Sequence, residues 1–516
     1  MSHDIEKTTL SSFPKSYWLA HPVPQFTSLT EHTETEVAVI GGGIVGVMTA
    51  YLLAKAGKSV VLVEAKDLLS GTTGHTTAKI TAQHGLIYDN LIRTFDEEAA
   101  RLYYDANMEG GWLIQEIAGN LDIDCQLESK DAVVFANGPN AVKKLQKEAK
   151  AYEQLSIDGI LSYGSENKLP FPVQAKLTMQ NQAQFHPVQF LTPLLDEIEK
   201  NGGRIYDQTR ALKVSKDGRT VETEHGSKLR CEHLVVATHY PFNDFDGFYL
   251  AKLSISRSYA LAAKAARPLP EEMYISADTP TRSLRSIRDK DGEEWLLIAG
   301  DGHGAAKSET PMQNHYNNLE AFGRAWYGLE ETDFHWSAQD MMTLDRVPYV
   351  GRMTSSLDNV FVATGFNKWG MAAGAVSAQL ISDLILEREN AFADLFDPTR
   401  SKFKPRDIRQ FVKKNVTVAR DLVQTKVESP EKTIEELGRD EGGLVTVDGK
   451  KTGAYRDRNG RLHLVKPTCT HLGCGVRWNN AERSWDCPCH GSRFSYDGSV
   501  LNGPAVRPLD ERESGE

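Results

Sequence analysis

The first strong pattern in the chain is Glu36-Val-Ala-Val-Ile40, a nearly continuous apolar run of the kind a parallel strand buried on both faces requires. It runs straight into Gly41-Gly-Gly43-Ile-Val-Gly46, after which apolar spacing predicts a helix from Ile44 to Lys55, ended by Gly57. Ser59-Val-Val-Leu-Val63 reads as a second buried strand, closing at Glu64. Later come a helical stretch from Glu97 to Ala118 and β-rich runs at Leu253 to Ala262 and Trp295 to Ala299. From Glu387 to Pro430 the composition turns basic, with Arg400, Lys402, Lys404, Arg406, Arg409, Lys413, Lys414 and Arg420. Ile408, Phe411, Val412, Ala419 and Leu422 partly trace one helix face there, which reads as a connector packed on the preceding domain. A patch for an anionic membrane surface or an acidic partner is the other reading. Beyond Glu435 the runs are short and β-like, punctuated by Gly449, Gly453 and Gly460.

A chain of 516 residues is too long for one core and suggests about three domains. Its 40% hydrophobic and 25% charged residues are ordinary for a globular protein. A net charge of −11 argues against a nucleic-acid partner. No run approaches the length of a membrane helix and Met1 to Thr35 has no apolar signal core, so a cytoplasmic protein without a transmembrane segment is expected. Six cysteines in so long a chain are no disulfide framework; Cys125 and Cys231 stand alone and read as buried thiols.

Two constellations carry chemistry. A lone G-x-G-x-x-G is weak, but this one opens a helix inside a β-α-β unit with an acid at the tip of the second strand, which makes it a dinucleotide fingerprint. Gly41 permits the tight turn, Gly43 lets backbone approach a pyrophosphate, Gly46 lets helix and strand pack, and Glu64 accepts ribose hydroxyls. Near the other end, Cys469-Thr-His471-Leu-Gly-Cys474 is followed, with fifteen residues between His471 and Cys487, by Cys487-Pro-Cys489-His490-Gly-Ser492. Two cysteines and two histidines suit a structural zinc or a [2Fe–2S] cluster with mixed ligands.

The cysteine–histidine boxes resemble those of Rieske proteins over about the last eighty residues. The resemblance implies cluster ligands Cys469, His471, Cys487 and His490 and a disulfide between Cys474 and Cys489, for which zinc gives no reason. Ser492 matches the family's serine donor to the cluster, but Phe494 stands where cytochrome b–c Rieske proteins carry a tyrosine, and Tyr496 has the wrong spacing. One donor is missing, so a potential in the middle of the Rieske span of roughly −150 to +300 mV is expected.

Upstream, Ser70-Gly-Thr-Thr73-Gly-His75-Thr-Thr77-Ala-Lys79 resembles the second flavin loop of the D-amino-acid oxidase superfamily, which includes glycine oxidase and γ-glutamylputrescine oxidoreductase. Leu234 to Thr238, the Asp345-Arg-Val-Pro348-Tyr-Val-Gly351 turn, and Asn359 to Met371 with Gly365 and Gly370 fit the same family, so the resemblance spans about residues 34 to 390. It implies FAD, held by Gly41, Gly43, Ile44, Val45, Gly46, Glu64 and Ala65 of the first unit. The flavin loop would add Thr72, Thr73, His75, Thr76 and Thr77, and later segments Val214, Ala237, Thr238, Asp345, Gly365, Gly370 and Met371. His75 lies where the sarcosine and dimethylglycine dehydrogenases attach FAD covalently; a noncovalent neighbour is the alternative.

The implied fold is an α/β FAD-binding domain (Rossmann-like, glutathione-reductase type) with an antiparallel-sheet substrate domain, plus a C-terminal all-β Rieske domain. Its expected segments are 34–93, 185–245 and 340–390 for FAD, 94–184 and 246–339 for substrate, 391–434 for the connector and 435–516 for the Rieske domain. The resemblance implies oxidation of a carbon–nitrogen bond of an amine or amino acid, with the cluster as an outlet to an unidentified external electron acceptor. Asp340 stands where amino-acid oxidases often carry a carboxylate-binding arginine, which points to an amine. Lys368 and Trp369, within the flavin motif, join it as candidate catalytic residues; Arg257 and Tyr259 are weaker pocket candidates. A reductase fed through the cluster and a redox-sensing binding protein stay open. A ring-hydroxylating oxygenase is not expected, because His225, His233 and His239 lack a suitable acid pattern.

Overall fold

A computed structural model describes residues 13–164, 168–289, 291–304, 310–400 and 432–512. The first unit is an eight-stranded sheet whose main path runs Tyr349–Thr354, Leu357–Thr364, Lys228–Val236, Thr33–Ile40, Val60–Val63 and Arg204–Tyr206, with Ala211–Val214 and Thr220–Thr223 as an attached hairpin. Ile40 pairs in parallel with both Val63 and Val236, so these strands end level and leave a crevice at their carboxyl ends. The Ile44–Lys55 helix is apolar on every face because it is covered on every face: the sheet lies below it, and the Ala372–Ile385 and Pro187–Lys200 helices flank it.

The second unit is a nine-stranded sheet, predominantly antiparallel. Its order is Leu329–Thr343, Leu253–Ala265, Glu294–Gly304, Arg282–Arg288, Met273–Ser276, Glu128–Ala136, Ala175–Gln184 and Lys79–Ile80, with Ile160–Tyr163 beside Ala175–Gln184. Met273–Ser276 and Glu128–Ala136 form a parallel pair within it. Lys79–Ile80 crosses from the flavin-loop segment into this sheet, and the Leu329–Thr343 strand runs past residue 339, so the two units interlock. The Met312–Tyr327 helix covers the outer face.

The C-terminal unit stacks a three-stranded sheet (Glu441–Val447, Lys450–Arg456, Leu462–Val465) and a four-stranded sheet (Arg477–Asn479, Ser484–Asp486, Arg493–Ser495, Val500–Asn502). Its core gathers Val465, Val476, Trp485, Phe494, Val500 and Leu509. A Cβ at Gly442 would lie 2.4 Å from Trp478, so the strand there tolerates only glycine.

This unit docks on the Leu253–Ala265 and Leu329–Thr343 strands. Arg257, 3% exposed, holds Asp486 at 2.5 Å. Glu482 accepts from Tyr316 Oη at 2.6 Å and Ser337 Oγ at 2.9 Å, and pairs with Arg493. Gln339 Nε2 donates to the Gly491 carbonyl at 2.8 Å. Asp486 also pairs with Arg493 at 3.1 Å, so its charge is shared between an arginine of each unit. The connector helix expected at Ile408 to Leu422 lies outside the described residues. Ahead of it, Arg400 pairs with Asp345. Among the described residues no helix is long and apolar enough to cross a membrane.

Candidate functional site

A cavity of about 1300 Å³ opens at the carboxyl ends of the parallel strands and extends beneath the second sheet. That exceeds the about 300–1,000 Å³ of an ordinary small-molecule site and leaves room for a dinucleotide and a substrate together. Gly41, Gly43, Ile44, Val45, Glu64 and Ala65 line one end. Gly41 has φ +113°, and a Cβ there would lie 2.6 Å from the Ala237 carbonyl. Glu64 accepts from Gly42 N at 2.7 Å and Lys66 N at 3.0 Å, which orients its carboxylate along the cavity wall.

The flavin-loop residues Thr72, Thr73, His75, Thr76 and Thr77 form the next wall, and Thr73 Oγ1 caps Ile44 N at 3.0 Å. Neighbours fix this loop in place: Trp18 Nε1 donates to Thr76 O at 2.7 Å, and buried Arg285 donates to the Thr77 and Ala78 carbonyls. His75 donates Nδ1–H to Gly71 O at 2.8 Å, since a carbonyl only accepts, and burial lowers its pKa. Ala237, Thr238, Gly370 and Met371 complete the expected lining. The glycine cradle and the oriented Glu64 fit the dinucleotide half of FAD.

Four expected cofactor residues stand off the wall. Gly46 faces inward, and its Cβ would lie 1.8 Å from Gly41 O, so it serves helix–strand packing. Val214 packs beside Val221 in the core while Ala211 reaches the cavity, across an irregularity in the hairpin register. Both oxygens of Asp345 are held by Arg400, at 2.8 and 3.0 Å, and Arg400 also grips the Val347 and Pro348 carbonyls. Gly365, at φ +79°, abuts the Thr343 side chain.

At the other end Asp340, Lys368 and Trp369 come together on the cavity wall. Asp340 is buried and its pKa is raised by burial, with Lys368 and His239 opposing. Lys368 is exposed to the cavity rather than to bulk water; burial lowers its pKa, and it donates to Ser258 Oγ at 2.6 Å. Asn367 and Lys368 both take positive φ, +52° and +77°. The Asn367 side chain makes that strained turn possible by bonding Gly365 O at 2.6 Å and Thr343 N at 3.0 Å. Trp369 stacks on His84 at 4.9 Å. His84, locked between Tyr103 Oη at 2.7 Å and Thr81 O at 2.8 Å, is pushed down to about 3 by burial and stays neutral.

Sequence reasoning missed His84, Ser258 and Gln339, and read His239 as a surface or pocket histidine. Each is an isolated residue whose partner lies 19 to 152 positions away, so no local signal marks it. It also missed an Asp301–His315 pair (2.9 Å) beside Tyr259, all three on the wall. Burial disfavours the Asp301 carboxylate, but hydrogen bonds from His315 and Asn318 and the Arg282 charge outweigh it and hold Asp301 at about 2. Arg257 does not face the cavity; it is committed to Asp486 and Gln339. His225 and His233 lie apart from the wall, whereas His239 lines it and donates to Gln339 O at 3.0 Å.

In the C-terminal unit Cys474 and Cys489 are joined as a disulfide. Sulfurs of Cys474, Cys487 and Cys489 lie within 4.8 Å, but the disulfide leaves Cys487 as the one thiol among these three. Its companion is buried Cys469, whose pKa is lowered by a hydrogen bond with Cys487, against burial. The His471 and His490 rings meet at 5.3 Å and 90°. A pair of thiols beside a pair of imidazoles is the donor set of a mixed-ligand [2Fe–2S] cluster. Ser492 is fully buried, bonds Cys469 and accepts from Ala505 N at 3.0 Å. Phe494 is buried in the core, and Tyr496 packs against Tyr455 and His463 instead of the thiols.

Comparison with known proteins agrees with this geometry. The model of the FAD dependent oxidoreductase family matches residues 36–384, and that of the Rieske [2Fe-2S] domain matches residues 430–513. The chain is 43% identical over 502 residues to the Rieske 2Fe-2S iron-sulfur protein YhfW of Bacillus subtilis (strain 168), covering 96% of this chain and 97% of that one. It is 24% identical to γ-glutamylputrescine oxidoreductase of Escherichia coli (strain K12), covering 75% of this chain and 93% of that one. The fold of glycine oxidase from Geobacillus kaustophilus superposes with a TM-score of 0.60 at 18% identity, over 72% of this chain and 99% of that one. The chain belongs to the FAD-dependent oxidoreductase family of the D-amino-acid oxidase type and carries a C-terminal Rieske [2Fe–2S] domain.

Proposed function

We propose that the protein is a dehydrogenase that oxidises the C–N bond of an amine or N-substituted amine and passes the electrons to its own Rieske cluster and on to an external one-electron acceptor. The observation that carries this reading is the shared cavity: Leu501, Asn502, Gly503, Ala505 and Val506 of the Rieske domain line the same cavity as the FAD-loop residues. The likeness to γ-glutamylputrescine oxidoreductase supports an amine as the donor.

FAD, when bound, supplies the two-electron acceptor for the carbon-bound hydride. Asp340 binds the substrate nitrogen. As a carboxylate it attracts an ammonium group and has nothing to offer a substrate carboxylate. Its raised pKa suits it to take one proton from that nitrogen, breaking N–H and forming O–H at the carboxyl, so that the lone pair is available when hydride leaves the adjacent carbon. Ser258 steers Lys368, and the stacked His84 fixes the Trp369 ring that closes the site.

Stopped-flow absorbance of FAD reduction tests the reading. Alkyl- and diamines should bleach the flavin faster than glycine or D-alanine. Asp340→Asn should lower kcat/KM for amines about 100-fold or more, the usual worth of a positioned base. Rapid bleaching by glycine and D-alanine, with amines inert, would contradict the assignment.

A further inference from the structure

One of the contacts that hold the Rieske domain against the substrate sheet reaches from the cavity wall to the cluster loop. Gln339 is 6% exposed, and its residue lines the cavity between Ala338 and Asp340. Its Nε2 donates at 2.8 Å to the carbonyl of Gly491, the residue between the ligand His490 and Ser492. Its Oε1 is held by Arg257 Nη2 at 3.3 Å, and its own carbonyl accepts from His239, another wall residue. The contact is closely fitted: Gly491 has φ +70°, and a Cβ there would lie 2.6 Å from Ile255 and 2.8 Å from Gln339 Nε2. Gly491 is therefore favoured as glycine by its backbone conformation, and a side chain there would push Ile255 and the Gln339 amide aside.

We propose that Gln339 is a positioning residue for electron passage: its amide holds the Gly491-Ser492 peptide on the cavity wall and provides the hydrogen-bonded bridge from that wall to the loop that carries the ligand His490. The proposal rests on the function proposed above. Oxidation of one C–N bond yields two electrons and two protons, whereas the cluster accepts one electron at a time. The bridge is therefore used twice per substrate, the external one-electron acceptor reoxidises the cluster between the two transfers, and the protons leave to solvent.

Other contacts of the interface stand apart from this bridge. Tyr316 Oη and Ser337 Oγ bind Glu482, which lies on the turn before the Ser484–Asp486 strand and not in the ligand loop. They provide a control for docking as such.

The test uses the full-length holoprotein with Gln339→Met, Gln339→Glu and, as control, Tyr316→Phe. FAD is reduced by light with EDTA and a deazaflavin catalyst, so no substrate is needed, and the Rieske signal is followed by rapid-freeze EPR. Both Gln339 variants should retain the EPR line shape and midpoint potential of the dithionite-reduced cluster, yet reduce the cluster more slowly than wild type. Hydrogen exchange of the Cys487–Arg493 loop should rise in them as well. Tyr316→Phe should transfer at the wild-type rate. Wild-type rates in both Gln339 variants, or equal slowing in Tyr316→Phe, would overturn the proposal. A wild-type cluster that stays oxidised after flavin photoreduction would instead overturn the function on which it rests.

Discussion

Lys79 illustrates what burial does to one residue in this chain. It sits in a short strand, donates to Tyr274 O at 2.8 Å beside Arg285, and is pushed down to about 7 by burial. An unfolded chain restores the ordinary lysine value of about 10.4, so between about pH 7 and 10 the unfolded state binds more protons and stability rises with pH. Lys79→Met removes that dependence. Its melting temperature relative to wild type should be more favourable at pH 6 than at pH 9, and a parallel shift at both values would refute the account. Nothing in Thr77-Ala-Lys79 announces this burial, because the groups around Lys79 come from residues about 200 positions away. Gly46 was readable for the opposite reason: its constraint is local, set by Gly41 O five residues earlier. Gly46→Ala should give protein lacking FAD, measured as the flavin-to-protein absorbance ratio; full flavin content would contradict that steric argument.

At the scale of elements, the β-α-β unit and the two cysteine–histidine boxes were legible because each is a local pattern with a local purpose. The Thr33–Ile40 strand, the Ile44–Lys55 helix and the Val60–Val63 strand lie close to the expected limits. The substrate sheet was only partly legible. Its Leu329–Thr343 strand mixes inward polar residues such as Gln339, Asp340 and Ser337 with apolar ones, because one stretch of it faces the cavity and another faces the Rieske domain. Val214, Asp345 and Gly365 stand off the cavity wall because a family motif marks a segment, while register and side-chain packing decide which member lines the cavity. The element most exposed to test is the docking seam. Arg257→Met leaves Asp486 with Arg493 as its remaining cationic partner, a loss of about 1.5–3 kcal/mol, the worth of a hydrogen bond to a charged group. Hydrogen exchange across Ser484–Asp486 should accelerate while the Thr33–Ile40 strand is unaffected. Uniform exchange in both would contradict a local role.

At the scale of the whole molecule, three units share one cavity. The sequence suggested a fused Rieske domain serving as an outlet for electrons but not where it docks; the structure places Leu501 to Val506 on the cavity wall and the cluster loop on Gln339. No pattern in the chain signals this arrangement, because the interface is made of ordinary residues whose partners are 145 to 229 positions apart. The measurement that tests the central claim most directly is an anaerobic titration of the full-length protein with a series of alkyl- and diamines, followed by visible absorbance and EPR. The account predicts flavin bleaching accompanied by the low-g rhombic signal of a reduced Rieske cluster, in the absence of any added carrier. A cluster reduced solely by an external electron carrier, or a flavin that bleaches beside a cluster that stays oxidised, would contradict it.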